Sequence, residues 1–226
     1  MSPLEQVQVR RILNEADRAA AMEVLKATYL KEKHWVADVE KVFEPGDLTN
    51  DAVSWFVAFR QGRPVGVLRI LYEPPLDLYK AYGFKVIVKG LDLDRFIREN
   101  RIAEIGRFAV VPEHRRFPFV AGALMRAASE ETVRRGFTHY VTDIFEGEKH
   151  SPYDFHTRVM GFVPVATHDT GELNCPNRRI TLVLDLKQAY HRIKKSKKWI
   201  FRLLTDGWDD ELHRKMEEGV NQYQTA

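Results

Sequence analysis

Residues 102–145 constrain the fold most tightly. IAEIGRFAVV (102–111) is a β-rich run, PEHRRF is a loop, VAGALMRAASEETVRRGF is one long periodic segment closed by Gly136, and HYVTDIF (139–145) is β-rich again. Strand, long helix, strand is a crossover, and a crossover needs a sheet on whose face its helix can pack. Upstream, WFVAF (55–59) and PVGVLRILY (64–72) flank RQGR, whose Gly62 suits a tight reversal, so a hairpin is predicted. QVQVRRIL (6–13) alternates like a strand, and Asn14 caps a helix that carries Ala19, Met22, Leu25, Ala27 and Tyr29 to about Lys33. Residues 37–50, with Pro45-Gly46, read as a surface loop, and an irregular or partly helical insert runs from Pro74-Pro75 to about Arg101. A short helix over 153–162 and strands over 163–169 and 178–186 follow. The order predicts an α/β fold, a mixed central sheet flanked by helices.

Composition narrows the function. Lys and Arg number 35 against 32 Asp and Glu, a net charge of +3 that gives no global reason to expect nucleic acid. The single cysteine, Cys175, cannot form an internal disulfide or a cysteine zinc cluster, and it lacks the local partner of a nucleophile. The eight histidines show no metal-ligand spacing, so no metal is expected. No apolar run is long enough to cross a bilayer and MSPLEQVQVRR lacks the apolar core of a signal peptide, which makes the cytoplasm the expected location. From Lys187 onward helix formers and charge dominate. The division expected is therefore 1–186 as the α/β domain and 187–226 as a helical C-terminal tail, basic and then acidic.

A candidate site lies where the 102–111 strand runs through a loop with Arg115 and Arg116 into a helix start. Free backbone N–H groups point outward there, and anions and thioester-bearing cofactors lodge at such places. Glu104 and Arg107 are three apart and face opposite sides of a straight strand. They share a site only if the strand is bulged, and Gly106 between them is the residue a bulge favours. A bulge also leaves backbone groups for an extended ligand lying as a pseudo-strand.

The strand, the PEHRRF loop, the helix ending in RRGF and the later MGF resemble the GNAT acyltransferase superfamily, whose members join an acyl thioester to an amine. The superfamily loop places a glycine where this chain has Phe119, in the stretch Arg116-Phe117-Pro118-Phe119-Val120-Ala121. A narrower resemblance fits that departure. Glu104-Ile105-Gly106-Arg107-Phe108 is similar to the Glu-x-Ser-Arg-Phe motif of acyl-homoserine lactone (autoinducer) synthases, and Gly66-Val67-Leu68-Arg69-Ile70-Leu71 to their Gly-x-x-Arg-Leu-Leu. Tyr29 and Trp35 fall six apart, like the aromatic pair that closes the acyl site there. Those enzymes and the related N-acyl amino acid synthases take acyl groups from acyl carrier protein, which brings a phosphopantetheine arm without the nucleotide, so a glycine cradle is dispensable. Leu25 replaces the arginine of the S-adenosylmethionine-using members, and Asp38, Asp47 and Asp51 match their aspartates only loosely.

The resemblance, over about 6–186, implies an N-acyltransferase that moves a fatty acyl group from acyl carrier protein, with coenzyme A as the other donor, to the amine of an amino acid or similar small acceptor. An S-adenosylmethionine-dependent lactone synthase is the alternative enzyme, and a non-catalytic acyl-carrier or lipid-binding module the alternative of another class. An ammonium must lose a proton before it attacks, and Glu104 is the implied base, directly or through water; its other reading is a strand carboxylate paired with Arg69 or Arg107. Arg69 and Arg107 bind the acceptor's carboxylate or hold Glu104. Phe108, Ala109, Val110, Val111, Arg116, Phe119 and Ala121 are the implied acyl-pantetheine contacts. The acyl chain is expected in a tunnel lined by the 55–72 hairpin, the 102–111 strand and the 120–128 helix. Near the superfamily's thiolate acid stand His156, Thr157 and Tyr153, none a clean match, which leaves water. Arg115, Arg116 and the basic run Lys194, Lys195, Lys197, Lys198 offer a face to an acidic carrier protein, and that run's alternatives are a solvated helix face and peripheral contact with anionic lipid.

Overall fold

A computed structural model of the chain describes residues 7–75, 82–116, 118–149, 151–196 and 198–218. Strand β1 (Val7–Arg11) leads to helix α1 (Glu15–Leu25), whose last turns widen into a π-helix over Lys26–Glu32. Asn14 caps α1 as expected, its side chain accepting from the Asp17 N–H at 2.9 Å. The hairpin is β2 (Val53–Arg60) and β3 (Arg63–Tyr72), with Gln61 and Gly62 both at positive φ in the two-residue turn. The insert holds a two-residue strand β4 (Lys85–Val86) and a helix α2 (Leu93–Glu99). Then come β5 (Ile102–Val110), α3 (Phe119–Arg134), β6 (His139–Phe145), a π-helical turn (Phe155–Met160), β7 (Val163–His168) and β8 (Arg179–Asp185).

The eight strands lie in the order β1-β2-β3-β5-β6-β8-β7-β4, all neighbours antiparallel except β5 and β6. This is the expected mixed sheet. The parallel pair is brief: β5 and β6 are in register only from Ile102↔His139 to Glu104↔Val141. Beyond that point β5 stays with β3 as far as Val110 and β6 stays with β8 as far as Phe145, so the two strands part and leave a wedge.

Alternation along the strands sends side chains to two cores. Phe56, Leu68, Ile70, Ala103, Ile105 and Tyr140 pack under α3. Trp55, Val57, Val67 and Ala109 face the other way, toward α1 and the segment after it. That segment, 37–50, is not the surface loop its sequence suggests. Val39, Val42 and Phe43 are buried, Phe43 stacks on Trp55 at 4.2 Å, and Arg18 reaches the Phe43 carbonyl at 2.7 Å. A run poor in apolar residues still covers a sheet face when its few large ones converge on one indole.

The C-terminal residues form α4 (Leu186–Ser196), α5 (Lys198–Thr205) and α6 (Asp210–Glu217). They put Tyr190, Ile193, Ile200, Leu204, Leu212 and Met216 into the same core as α3, so the tail completes that core. Arg126–Asp206 at 2.7 Å and Arg134–Asp209 at 2.8 Å tie it to α3. Where the expected tunnel would pass between the hairpin and α3 at Gly66, the space is filled by packing: a Cβ on Gly66 of β3 would stand 2.8 Å from Val120 Cγ1 and 2.9 Å from Leu124 Cδ1. Small apolar clefts lie between β6, β8 and the C-terminal helices, and under the insert against β5, β6, β7 and β8.

Candidate active site

The site grows from a break in the β3–β5 ladder. Val67 pairs with Ala109 and Arg69 with Gly106, so two steps along β3 match three along β5, and Arg107 and Phe108 fall out of register. The strand is bulged, as the sharing of Glu104 and Arg107 requires. The residue that takes the unusual backbone is Arg107, at φ 51°, not the glycine expected to do so. Gly106 has a different task. A Cβ there would stand 2.7 Å from Glu104 Oε1 and 3.3 Å from Arg69 Nη2, so its missing side chain is the space in which these two groups meet. Because β6 pairs with β5 only as far as Glu104, the backbone of residues 107 and 108 has no strand in register on the β6 side. Such groups are available to an extended ligand entering the wedge.

Arg69 donates from Nη2 to Glu104 Oε1 at 2.8 Å, with side-chain exposures of 13% and 19%. Arg107, also 13% exposed, donates from Nη2 to Glu172 of the β7–β8 segment. The Nε atoms of Arg69 and Arg107 are both buried without a hydrogen-bond partner. A buried donor left unpaired is costly, and two of them on guanidinium groups beside a carboxylate mark a seat for an anion with several acceptor oxygens. Tyr29 lies within electrostatic reach of the same guanidiniums: burial pushes its hydroxyl pKa up while Arg107 and Arg69 oppose that shift. Burial pushes the Glu172 carboxyl up as well, but Arg107 and Arg69 outweigh it and hold the group below its ordinary value.

Aromatic rings close one side. Tyr29 and Trp35 meet edge to face at 5.3 Å, and Trp35 leans on Phe145 at the open end of β6 at 4.7 Å. Trp35 is fixed through its backbone, which donates to the Tyr29 carbonyl at 2.9 Å and accepts from the Asn174 N–H at 2.8 Å. Lys33 bridges above to Glu148 at 2.5 Å. The six-residue spacing therefore corresponds to one turn of chain across the mouth of the wedge.

Other expected residues lie as follows. Ala109 is buried, and Phe108, Val110 and Val111 are half-buried along the bulged strand. Phe119 opens α3, half-buried against the main core, with Ala121 half-buried in the same first turn. Arg116 is exposed at the loop. Arg115 forks onto Glu32 with two contacts of 2.6 Å and donates to the Val110 carbonyl at 2.7 Å, so it braces the wedge mouth. Lys194 pairs with Glu217 at 2.5 Å, Lys195 is exposed, Lys197 lies outside the described residues, and Lys198 begins α5. His156 is buried, its Nδ1 2.9 Å from the Pro152 carbonyl, and Thr157 donates to the Tyr153 carbonyl; neither they nor Tyr153, packed on the main core, joins the site. Asp47 accepts from Trp55 Nε1 at 2.8 Å and Asp38 accepts from the Glu40 N–H at 3.0 Å, both local tasks. Glu172, Phe145 and Asn174 are members of the site that the sequence reading missed. The only signal for Glu172 was an acidic side chain in the turn-like stretch GELNCPNRR.

The model of the acetyltransferase (GNAT) family matches residues 10–162. A search among curated protein sequences finds no match. Among solved structures, FeeM, an N-acyl amino acid synthase from uncultured soil microbes, superposes with a TM-score of 0.62 at 16% identity, covering 82% of this chain and 93% of that one. Escherichia coli ElaA gives 0.53 at 14%, over 79% and 99%. RimL, a ribosomal L7/L12 alpha-N-protein acetyltransferase in complex with coenzyme A, gives 0.53 at 11%, over 80% and 94%.

Proposed function

We propose that this chain, an N-acyltransferase which belongs to the GNAT acetyltransferase family, moves a fatty acyl group from acyl carrier protein to the amine of an amino acid. The observation that carries the acceptor is the pair of buried, unpartnered Nε groups on Arg69 and Arg107 beside the Glu104 carboxylate. An α-amino acid holds its carboxylate one carbon from its amine. Arg69 and Glu104 are in direct contact at 2.8 Å, so one arrangement serves both ends, the guanidiniums taking the carboxylate and Glu104 the ammonium.

The reaction follows from those roles. Glu104 takes a proton from the ammonium, directly or through one water. The freed nitrogen lone pair attacks the thioester carbonyl carbon, forming the C–N bond and placing negative charge on the carbonyl oxygen. Backbone N–H groups of the bulged stretch at 107 and 108 are suited to receive that oxygen. The carbonyl re-forms as the C–S bond breaks, the thiolate of the phosphopantetheine arm takes a proton from water, and the hydroxide left behind takes the remaining extra proton of the amide nitrogen. Tyr29, Trp35 and Phe145 exclude solvent from the acyl carbonyl.

Two observations support the carrier protein as donor. Phe119 stands at the start of α3 where a glycine would let backbone wrap a pyrophosphate, and Arg116 and Lys195 are exposed cations. FeeM, described as an N-acyl amino acid synthase, is a structural relative consistent with the acceptor class. The test is to incubate the protein with acyl carrier protein thioesters and a mixture of amino acids, and to search for amides by mass spectrometry. An N-acyl amino acid is the expected product. Absence of any amide, or a product that forms only with S-adenosylmethionine, overturns the reading.

A further inference from the structure

Four charges meet at the seat, two guanidiniums and two carboxylates, and one of them is unlike the rest. Arg69, Glu104 and Arg107 rise from the sheet and are 13%, 19% and 13% exposed, whereas Glu172 stands on the segment between β7 and β8 and is 53% exposed. Its backbone is held. Arg179 donates to the Asp169 carbonyl at 3.0 Å and the Leu173 carbonyl at 2.7 Å, and Asn174 bonds to Trp35. Rotation of its own side chain is therefore enough to carry the Glu172 carboxylate into water while the segment stays in place. The other three groups have no such exit.

With Glu172 seated, Arg107 has Nη2 engaged and its Nε unused. The acceptor's ammonium pairs with Glu104, so the acceptor's carboxylate and that of Glu172 compete for the same guanidinium donors, chiefly those of Arg107. If the two carboxylates exchange, the incoming one takes the place of Glu172 on Arg107 Nη2 and can also use the Nε donors that the present arrangement leaves without a partner. An amine without a carboxylate has nothing to offer in exchange. We propose that Glu172 is the provisional occupant of the acceptor's carboxylate seat, yielding it to carboxylate-bearing amines and keeping it against amines that lack one. Glu172 is on this view a specificity-determining residue, and the proposal rests on the amino-acid reading of the site.

The test separates the two ideas by measuring binding without turnover. N-dodecanoylglycine and N-dodecanoylglycinamide serve as probes, alike except for the carboxylate, and are titrated calorimetrically into the full-length protein and into Glu172→Gln and Glu172→Ala. Wild type is expected to favour the acid over the amide. Both variants are expected to bind the acid about fivefold more tightly, since a competing partly exposed ion pair has been removed, with the amide unchanged. If wild type favours the acid but neither variant binds it more tightly, the role of Glu172 is wrong and the amino-acid reading stands. If wild type does not distinguish acid from amide, both are wrong. If the variants bind both probes more weakly, Glu172 builds the site instead of occupying it, and the proposal fails.

Discussion

Gly66 on β3 and Gly106 on β5 lie in adjacent strands of one sheet, and each omits a side chain because another group needs the space. The groups differ. At Gly66 the neighbours are Val120 and Leu124 of α3, apolar and buried; at Gly106 they are the carboxylate of Glu104 and the guanidinium of Arg69. The α3 face is close-packed by groups whose positions are all determined by contact. The other face at Gly106 holds polar groups in a space kept open between strands, with donors left unused. At these two positions, then, one glycine makes room for packing and the other for polar chemistry, and the same Gly→Ala change should read out a different property at each.

The largest effect expected on the reactive face is that of Glu104→Gln, which keeps shape and removes the base. Amide formation should fall by at least about a hundredfold, with the thermal midpoint close to wild type. A rate within tenfold of wild type would move the proton-accepting role to another group. Gly106→Ala should come next. Its Cβ would displace the flexible end of Glu104, so the rate should drop by roughly ten- to a hundredfold while the protein melts nearly as before. Gly66→Ala should do the reverse, costing about 1–3 kcal/mol of stability through overpacking against a β-branched neighbour and leaving the rate per folded molecule intact. If the two glycine variants exchange phenotypes, the division of labour between the faces is wrong.

Charge on the reactive face gives a pH test. His168 of β7 is buried, with Nε2 3.1 Å from Asp143 of β6 and Nδ1 2.8 Å from the Thr170 carbonyl. Burial works to lower its pKa, but the hydrogen bond and attraction of Asp143 and the Thr170 carbonyl outweigh it, and the net direction is up. A histidine whose folded pKa is raised contributes stability that is fully present below the unfolded value of about 6.5 and disappears as pH rises through the folded value. Asp143→Asn should therefore lower the melting temperature most under mildly acidic conditions, and the gap from wild type should shrink in alkaline buffer. A gap that widens with pH would mean that the imidazole is held neutral.

The two faces were not equally legible in the sequence. The α3 face follows from periodicity: the hairpin and the crossover helix appear where alternation and helical spacing put them. The site does so only in part. Glu104, Arg107 and Arg69 stand out as a motif, but the bulge pointed to Gly106 as the strained residue when the strain falls on Arg107. A glycine can be required for φ or for room, and a one-dimensional pattern does not distinguish these. Arg115 reads as a surface cation until Glu32, 83 residues away, is folded against it. Glu172 is 65 residues from Arg107 in a stretch without motif. Ion pairs between distant segments leave no periodic trace, because nothing local constrains the identity of the second partner.

The smallest effect concerns the donor and lies outside both faces. A carrier protein and a minimal pantetheine thioester present the same reacting bond, so any difference between them must come from contacts beyond the wedge. Arg115 is a poor place to look, since reversing its charge would break its fork onto Glu32 and disturb the mouth of the wedge for either donor. Arg116 and Lys195 are exposed, so their charges are open to a docking partner. Electrostatic steering of an acidic partner acts mainly on encounter and is screened over a Debye length of about 8 Å at physiological salt. The double variant Arg116→Glu, Lys195→Glu should therefore raise the KM for the acyl carrier protein donor several-fold, flatten its salt dependence, and leave the pantetheine thioester unaffected. Equal loss with both donors would place these cations in the chemistry of the wedge, and a selective loss with acyl-coenzyme A would make the loop before α3 a nucleotide site despite Phe119.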